Sequence, residues 1–110
     1  PSDATFNWME NNKLITKMKE GGDSLSKPRN IAFELYFRAD TSRSAVATFA
    51  TAKGYKTEQV TNAKATNAPY QLIVSKYTQV KIDTITVMST ELKKEAARHH
   101  GYYNGWEAKK

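Results

Sequence analysis

A chain of 110 residues has room for one hydrophobic core and no second one. It is 39% apolar and 25% charged, an ordinary globular composition; two Trp, six Tyr and three Met supply bulk that Leu, Ile, Val and Phe, about one residue in six, do not. The absence of Cys excludes a disulfide framework, a thiolate nucleophile and Cys-bound zinc, and no stretch approaches the roughly 20 apolar residues of a membrane span.

Residues 1–20 show no basic start followed by an apolar run, so no secretory signal is read and a soluble, cytoplasmic protein is expected. The net charge is +6, and residues 1–40 balance to zero, so the whole excess lies beyond them. It is scattered, with no run of five like charges. Such charge serves solubility, and it also attracts phosphate backbones or acidic partners.

The chain opens with a helical pattern over residues 1–22. Ser2 or Asp3 can cap it, Phe6, Met9, Leu14, Ile15 and Met18 recur near helical spacing, and Gly21-Gly22 closes it. After a loop through Asp23, Ser24, Ser26 and Pro28, Asn30 to Arg38 alternates strictly. Ile31, Phe33, Leu35 and Phe37 share one face; Ala32, Glu34, Tyr36 and Arg38 share the other. Asp40 or Thr41 then caps a second helix with Ala45, Val46, Phe49 and Ala50 inside and Gly54 after its end. Tyr55 to Val60 reads as a second strand, and a polar stretch leads to a third at Tyr70 to Tyr77. Its run Leu72-Ile73-Val74 suits a central position. Asp83 caps a third helix bearing Ile82, Ile85, Met88, Leu92 and Ala96 on one face, Gly101 stops it, and Tyr102 to Glu107 forms a last strand.

The order helix-βαββαβ predicts an α+β, ferredoxin-like fold: a four-stranded antiparallel sheet over residues 30–107 with two helices on one face. The extra N-terminal helix is expected at an edge or across the open face. Open sheet edges permit a dimer by strand pairing, and nothing in the sequence requires one.

Chemistry is sparsely supplied. His99 and His100 are adjacent, so on a helix they point about 100° apart and cannot share a metal as an i, i+4 pair could. With Arg98 they suit the electrostatics of a helix C-terminus. The carboxylates are spread singly, and no phosphate-cradling glycine loop or Gly-x-Ser-x-Gly elbow occurs. No catalytic, metal or cofactor site is expected, and the chain is not read as an enzyme.

RNA binding is the alternative, because sheets of this topology stack bases on open-face aromatics. The candidate binding residues are Tyr36, Arg38, Lys76 and Tyr77, although the third strand lacks the sequence of an RNA-recognition motif. The other reading packs these rings beneath the N-terminal helix. In Gly101-Tyr102-Tyr103-Asn104-Gly105-Trp106-Glu107, the glycine marks a bulge or close approach, and the Trp is either a core plug or a binding anchor, with the plug preferred.

This last segment resembles the ending of the RraB-type regulators of ribonuclease E activity, in which a glycine-rich turn leads into a Tyr-Asp-Gly-Trp strand. Upstream, Gly21-Gly22-Asp23-Ser24-Leu25-Ser26-Lys27-Pro28-Arg29 followed by Phe33-Glu34-Leu35-Tyr36-Phe37 is similar to the family's Gly-Asp-x-Leu turn and Pro-Arg pair. The likeness covers roughly residues 13–107. Tyr103, Gly105 and Trp106 match one signature and Gly22, Asp23 and Pro28 the other, with Asn104 where the family usually has Asp. The resemblance implies one RraB-like domain over residues 1–110, without cofactor or metal. It implies a non-catalytic inhibitor that binds a protein partner, the scaffold half of ribonuclease E. The best-known members are strongly acidic, whereas this chain is basic.

Overall fold

The computed structural model describes residues 3–65 and 67–109. The elements are α1 (Asp3–Glu20), β1 (Arg29–Phe37), α2 (Asp40–Ala52), β2 (Lys56–Thr61), β3 (Tyr70–Thr78), α3 (Ile82–Arg98) and β4 (Tyr102–Ala108). The strands form one antiparallel sheet in the order β2-β3-β1-β4, so the predicted α+β, ferredoxin-like arrangement is the observed one. Of the two N-terminal caps expected for α1, Ser2 lies outside the described residues, as does the side chain of Asp3.

The alternation in β1 builds the core. Ile31, Phe33, Leu35 and Phe37 are fully buried under the helices, and β3 places Val74 and Leu72 opposite Phe33 and Leu35. Each such side chain contributes about 1.5–3 kcal/mol by leaving water. The layer above divides in two: α2 lies over β2 and β3, and α3 lies over β1 and β4. Ile85, Met88, Leu92 and Ala96 of α3 reach this core as their spacing predicts.

Three local expectations are corrected. The N-caps of α2 and α3 are Ala39 and Lys81, without side-chain cap bonds; Asp40 and Asp83 sit inside the first turns, where their charge faces the positive end of the helix dipole. The inner face of α2 is Val46, Ala47 and Ala50, while Ala45 is exposed. It is rotated because Arg43 also turns inward, donating from Nη1 to Val60 O (2.9 Å) and Thr61 Oγ1 (3.1 Å) with its guanidinium 5.0 Å from the Tyr70 ring centroid.

The third correction concerns which face of α1 is buried. Of the two expected positions the helix takes the edge, packing on α3 beside the edge strand β4, and the open face of the sheet is uncovered among the described residues. Phe6, Met9 and Leu14 are exposed, and the buried face is Asn7, Asn11 and Ile15, with Met18 half-buried. These residues lie three or four apart, so they form one stripe. Asn7 Nδ2 donates to Ser89 Oγ and Thr90 Oγ1, both at 2.7 Å. Asn11 Nδ2 donates to Thr86 Oγ1 and Ser89 Oγ, both at 3.1 Å, and Trp106 Nε1 donates to Asn11 Oδ1 at 2.8 Å. A row of hydroxyls on α3 thus selects asparagines in preference to apolar side chains, because a buried hydroxyl needs a partner.

Burial also marks two tyrosines. It pushes the Tyr55 hydroxyl from 10.0 up to about 12, with Glu91 adding to the shift, and it pushes the Tyr103 hydroxyl up more strongly, with Ser89 pulling the other way. A phenol whose pKa is raised by folding stays neutral in the fold, so its contribution is complete below the unfolded value and is lost as pH rises through the folded one. Phenolate absorbance should therefore show a late-ionising fraction from Tyr55 and Tyr103, with stability falling from pH 10 toward about 12. Ionisation of Tyr55 and Tyr103 near pH 10 would contradict this.

Candidate functional site

Register decides which predicted binding residues can act together. On the open face Tyr36 pairs with Gln71 of β3 and Tyr102 of β4, and Glu34 pairs with Ile73 and Gly105. Tyr77 is on the same face and highly exposed, but it pairs with Asn30. Six residues of β1 separate it from Tyr36, roughly 20 Å at the rise of a strand. Lys76 pairs with Ile31, whose side chain is in the core, so it points to the helical side. Its ammonium lies 4.8 Å from the Tyr55 ring centroid. The predicted set therefore divides: Tyr36 and Arg38 share a site, Tyr77 is at the far end, and Lys76 is on the other side.

Two residues that the sequence reading did not select complete the pair. Tyr102 stacks on Tyr36 with centroids 5.3 Å apart and planes 20° apart. His100 turns toward the same place through a left-handed conformation (φ 61°). Together with Arg38, Asn67, Ala68, Ala97 and Gly101 they line an open groove of about 750 Å³ where β1 leaves the sheet. Tyr36 is held from below: Gln71 Nε2 donates to its hydroxyl oxygen at 3.2 Å. Burial raises the pKa of that hydroxyl, with Glu34 and Tyr102 adding to the effect, so Tyr36 is a neutral phenol at neutral pH. Glu34 accepts from Gln71 Nε2 (3.5 Å) and Asn104 Nδ2 (3.4 Å), one at each oxygen.

The adjacent histidines do not converge. His99 Nε2 is 3.5 Å from Glu95 Oε2, which Arg98 flanks at the other oxygen, while His100 faces the groove. Among the described residues no group of three or more His, Asp or Glu is placed to hold a metal ion, and no helix is long and apolar enough to cross a membrane.

The residues that carried the resemblance stand elsewhere, around the junction of α1 with the sheet. Gly22 closes α1 in a left-handed conformation (φ 92°). Asp23 accepts the Leu25 amide at 2.9 Å and grips Arg29 through both oxygens at 2.8 Å, fixing the first residue of β1 just after Pro28. Both side chains of this pair are largely buried, so its geometry is held more tightly than that of a surface ion pair. In β4, Gly105 pairs with Glu34 while Tyr103 pairs with Leu35, so Asn104 is an extra residue in a bulge and Gly105 adopts φ 115°. The bulge sets the side chains beyond it in phase with the helical side, where Tyr103 packs near the Phe33 ring and Trp106 reaches Asn11. Trp106 is half-buried against the core, nearer to a plug than to a free anchor, and its indole N–H ties β4 to α1.

Comparison with known families decides what this scaffold is. Residues 8–108 match the family described as regulator of ribonuclease activity B, from the second turn of α1 to the last residue of β4. The chain belongs to the RraB family. None of the curated proteins matches it significantly. The match covers both the ferredoxin-like core and the docked α1, so the RraB unit in this chain includes the helix that precedes the sheet. The two segments read as RraB-like are those that join the helix to the sheet.

Proposed function

We propose that this chain acts as a non-catalytic regulator in the cytoplasm, lowering the activity of a ribonuclease E-type enzyme by binding its non-catalytic scaffold. The match to regulators of ribonuclease activity over nearly the whole chain is the observation that carries this reading. The surface best suited to a protein partner is the outward side of α1. Phe6, Met9, Lys13 and Lys17 follow at intervals of three and four, which makes one stripe, apolar at its start and cationic at its end. Phe6 and Met9 are about half exposed, and their exposure costs stability that docking would recover. A partner segment with apolar side chains followed by carboxylates complements the stripe.

The test is cleavage of a structured RNA by ribonuclease E from the same organism, full-length and scaffold-deleted, titrated with this protein. Full-length enzyme should lose activity while the truncated enzyme does not. The double variant Phe6→Ser, Met9→Ser should bind the scaffold at least about tenfold more weakly, the size of a hot-spot loss. Both side chains are exposed, so the melting temperature should hardly change. Equal inhibition of both enzymes, or of neither, would overturn the proposal.

A further inference from the structure

The groove beside Tyr36 shares no lining residue with the α1 stripe, and the regulatory reading leaves it without a task. Its composition is specific. Tyr36 and Tyr102 form a stacked pair of rings on an uncovered sheet, and Tyr102, on the edge strand, is 54% exposed. Arg38 stands beside them and makes no hydrogen bond or ion pair among the described residues. Among the described residues no carboxylate lines the groove; Glu34, on the same face, is engaged at both oxygens by side-chain amides. Tyr36 is fixed by Gln71, so the stack is preorganised.

We propose that this groove binds single-stranded RNA, with an unpaired base extending the stack on Tyr102 and a neighbouring phosphate meeting Arg38. Both components are needed. An aromatic platform accepts any base through its π-face, and the guanidinium fork matches phosphate oxygens. A base in a duplex has both faces covered by its neighbours, so the rings select unpaired strands. A peptide would also find apolar surface here, but an unpaired cation beside a bare ring pair, with no carboxylate in the lining, suits a polyanion of aromatic units better. The net charge of +6 works in the same direction by steering. This site and the α1 stripe are independent, and the protein can hold RNA with or without the enzyme.

The experiment is fluorescence anisotropy of labelled oligouridine and oligoadenosine single strands with the full chain, alongside a labelled RNA duplex. Single strands should bind more tightly than the duplex. Tyr102→Ala should weaken binding roughly tenfold or more, while Tyr102→Phe, which keeps the ring, should retain it. Arg38→Gln should weaken binding and reduce the slope of log affinity against log salt by about 0.7, the value of one phosphate contact on a single strand. Tyr77→Ala, about 20 Å along the sheet, should change nothing at this site. Preference for the duplex, indifference to Tyr102→Ala at unchanged thermal stability, or no binding of either single strand would overturn the proposal. Scaffold binding by the Tyr102→Ala variant, measured in parallel, separates failure here from failure of the regulatory reading.

Discussion

Gly101→Ala will destabilise the fold by about 3 kcal/mol and lower its melting temperature by roughly 10–20 °C. The added Cβ would lie 2.4 and 2.5 Å from two ring carbons of Phe37 and 2.7 Å from the carbonyl oxygen of Tyr36. Optimal carbon contacts are about 3.5–4.0 Å, so something must move. Phe37 is fully buried in the core, and Tyr36 is backbone-paired between two strands, so neither can retreat without opening packed structure. The tight turn follows from the layout of the sheet. α3 ends at Arg98, β4 begins at Tyr102, and the chain must pass directly over the end of β1 to become its neighbour. Gly21→Ala is the matched control, since its Cβ would meet nothing closer than 3.5 Å, and it should shift stability by no more than about 0.5 kcal/mol. Thermal melts followed by circular dichroism measure both; equal effects would mean that the turn has slack.

The second large effect concerns the asparagine-hydroxyl contact of α1. Asn11→Leu keeps the branched shape of the side chain but removes one acceptor and two donor contacts, leaving Trp106 Nε1 and the Thr86 hydroxyl without their partners. Each buried polar group left unpaired costs about 1–3 kcal/mol, so a loss of about 3 kcal/mol is expected. The loss should be local first: α1 amides should exchange with solvent far faster while the β1 and β3 amides stay protected. Trp106→Phe should cost about 1–3 kcal/mol by orphaning the Asn11 oxygen. Combining the two removes donor and acceptor together, so the double variant should be less destabilised than the sum of the singles by about 1–2 kcal/mol. Additive losses would show that the indole and the amide stabilise the fold separately.

The sequence was informative where the structural cause is local. Strict alternation at residues 31–37 specifies a one-sided strand, and the steps from Ile85 to Ala96 specify the face of α3. Gly22 ends α1 through a left-handed conformation, a reason a local reading contains, whereas Gly101 is required by the close approach of β1, which a local reading does not contain. The face of α1 was not legible in this way. What turns Asn7 and Asn11 inward is a set of hydroxyls 75 to 83 residues away along the chain, and an apolar-periodicity reading counts both asparagines as surface. Within the site, the alternation of β1 placed Tyr36 and Arg38 together correctly. In β3 the consecutive apolar residues Leu72, Ile73 and Val74 conceal which parity faces the helices, so Lys76 was grouped with Tyr77 although the two point in opposite directions. Tyr102 and Tyr103 were indistinguishable without the register: pairing of Tyr102 with Tyr36 directs one ring to the open face and the next to the core.

The bulge at Asn104 has an effect on how the molecule behaves among its own copies. β4 is an edge strand, and its outer row of amides and carbonyls is a template onto which a foreign strand could polymerise. An extra residue breaks that row in the middle of a seven-residue strand, so an incoming chain can keep step on only one side of the break. The opposite edge, β2, is defended by composition, with the exposed charges Lys56 and Glu58 alternating along it. A sheet with one bare face is thereby shielded from runaway cross-β growth at both margins, and the glycine that shapes the signature strand also serves to interrupt strand addition.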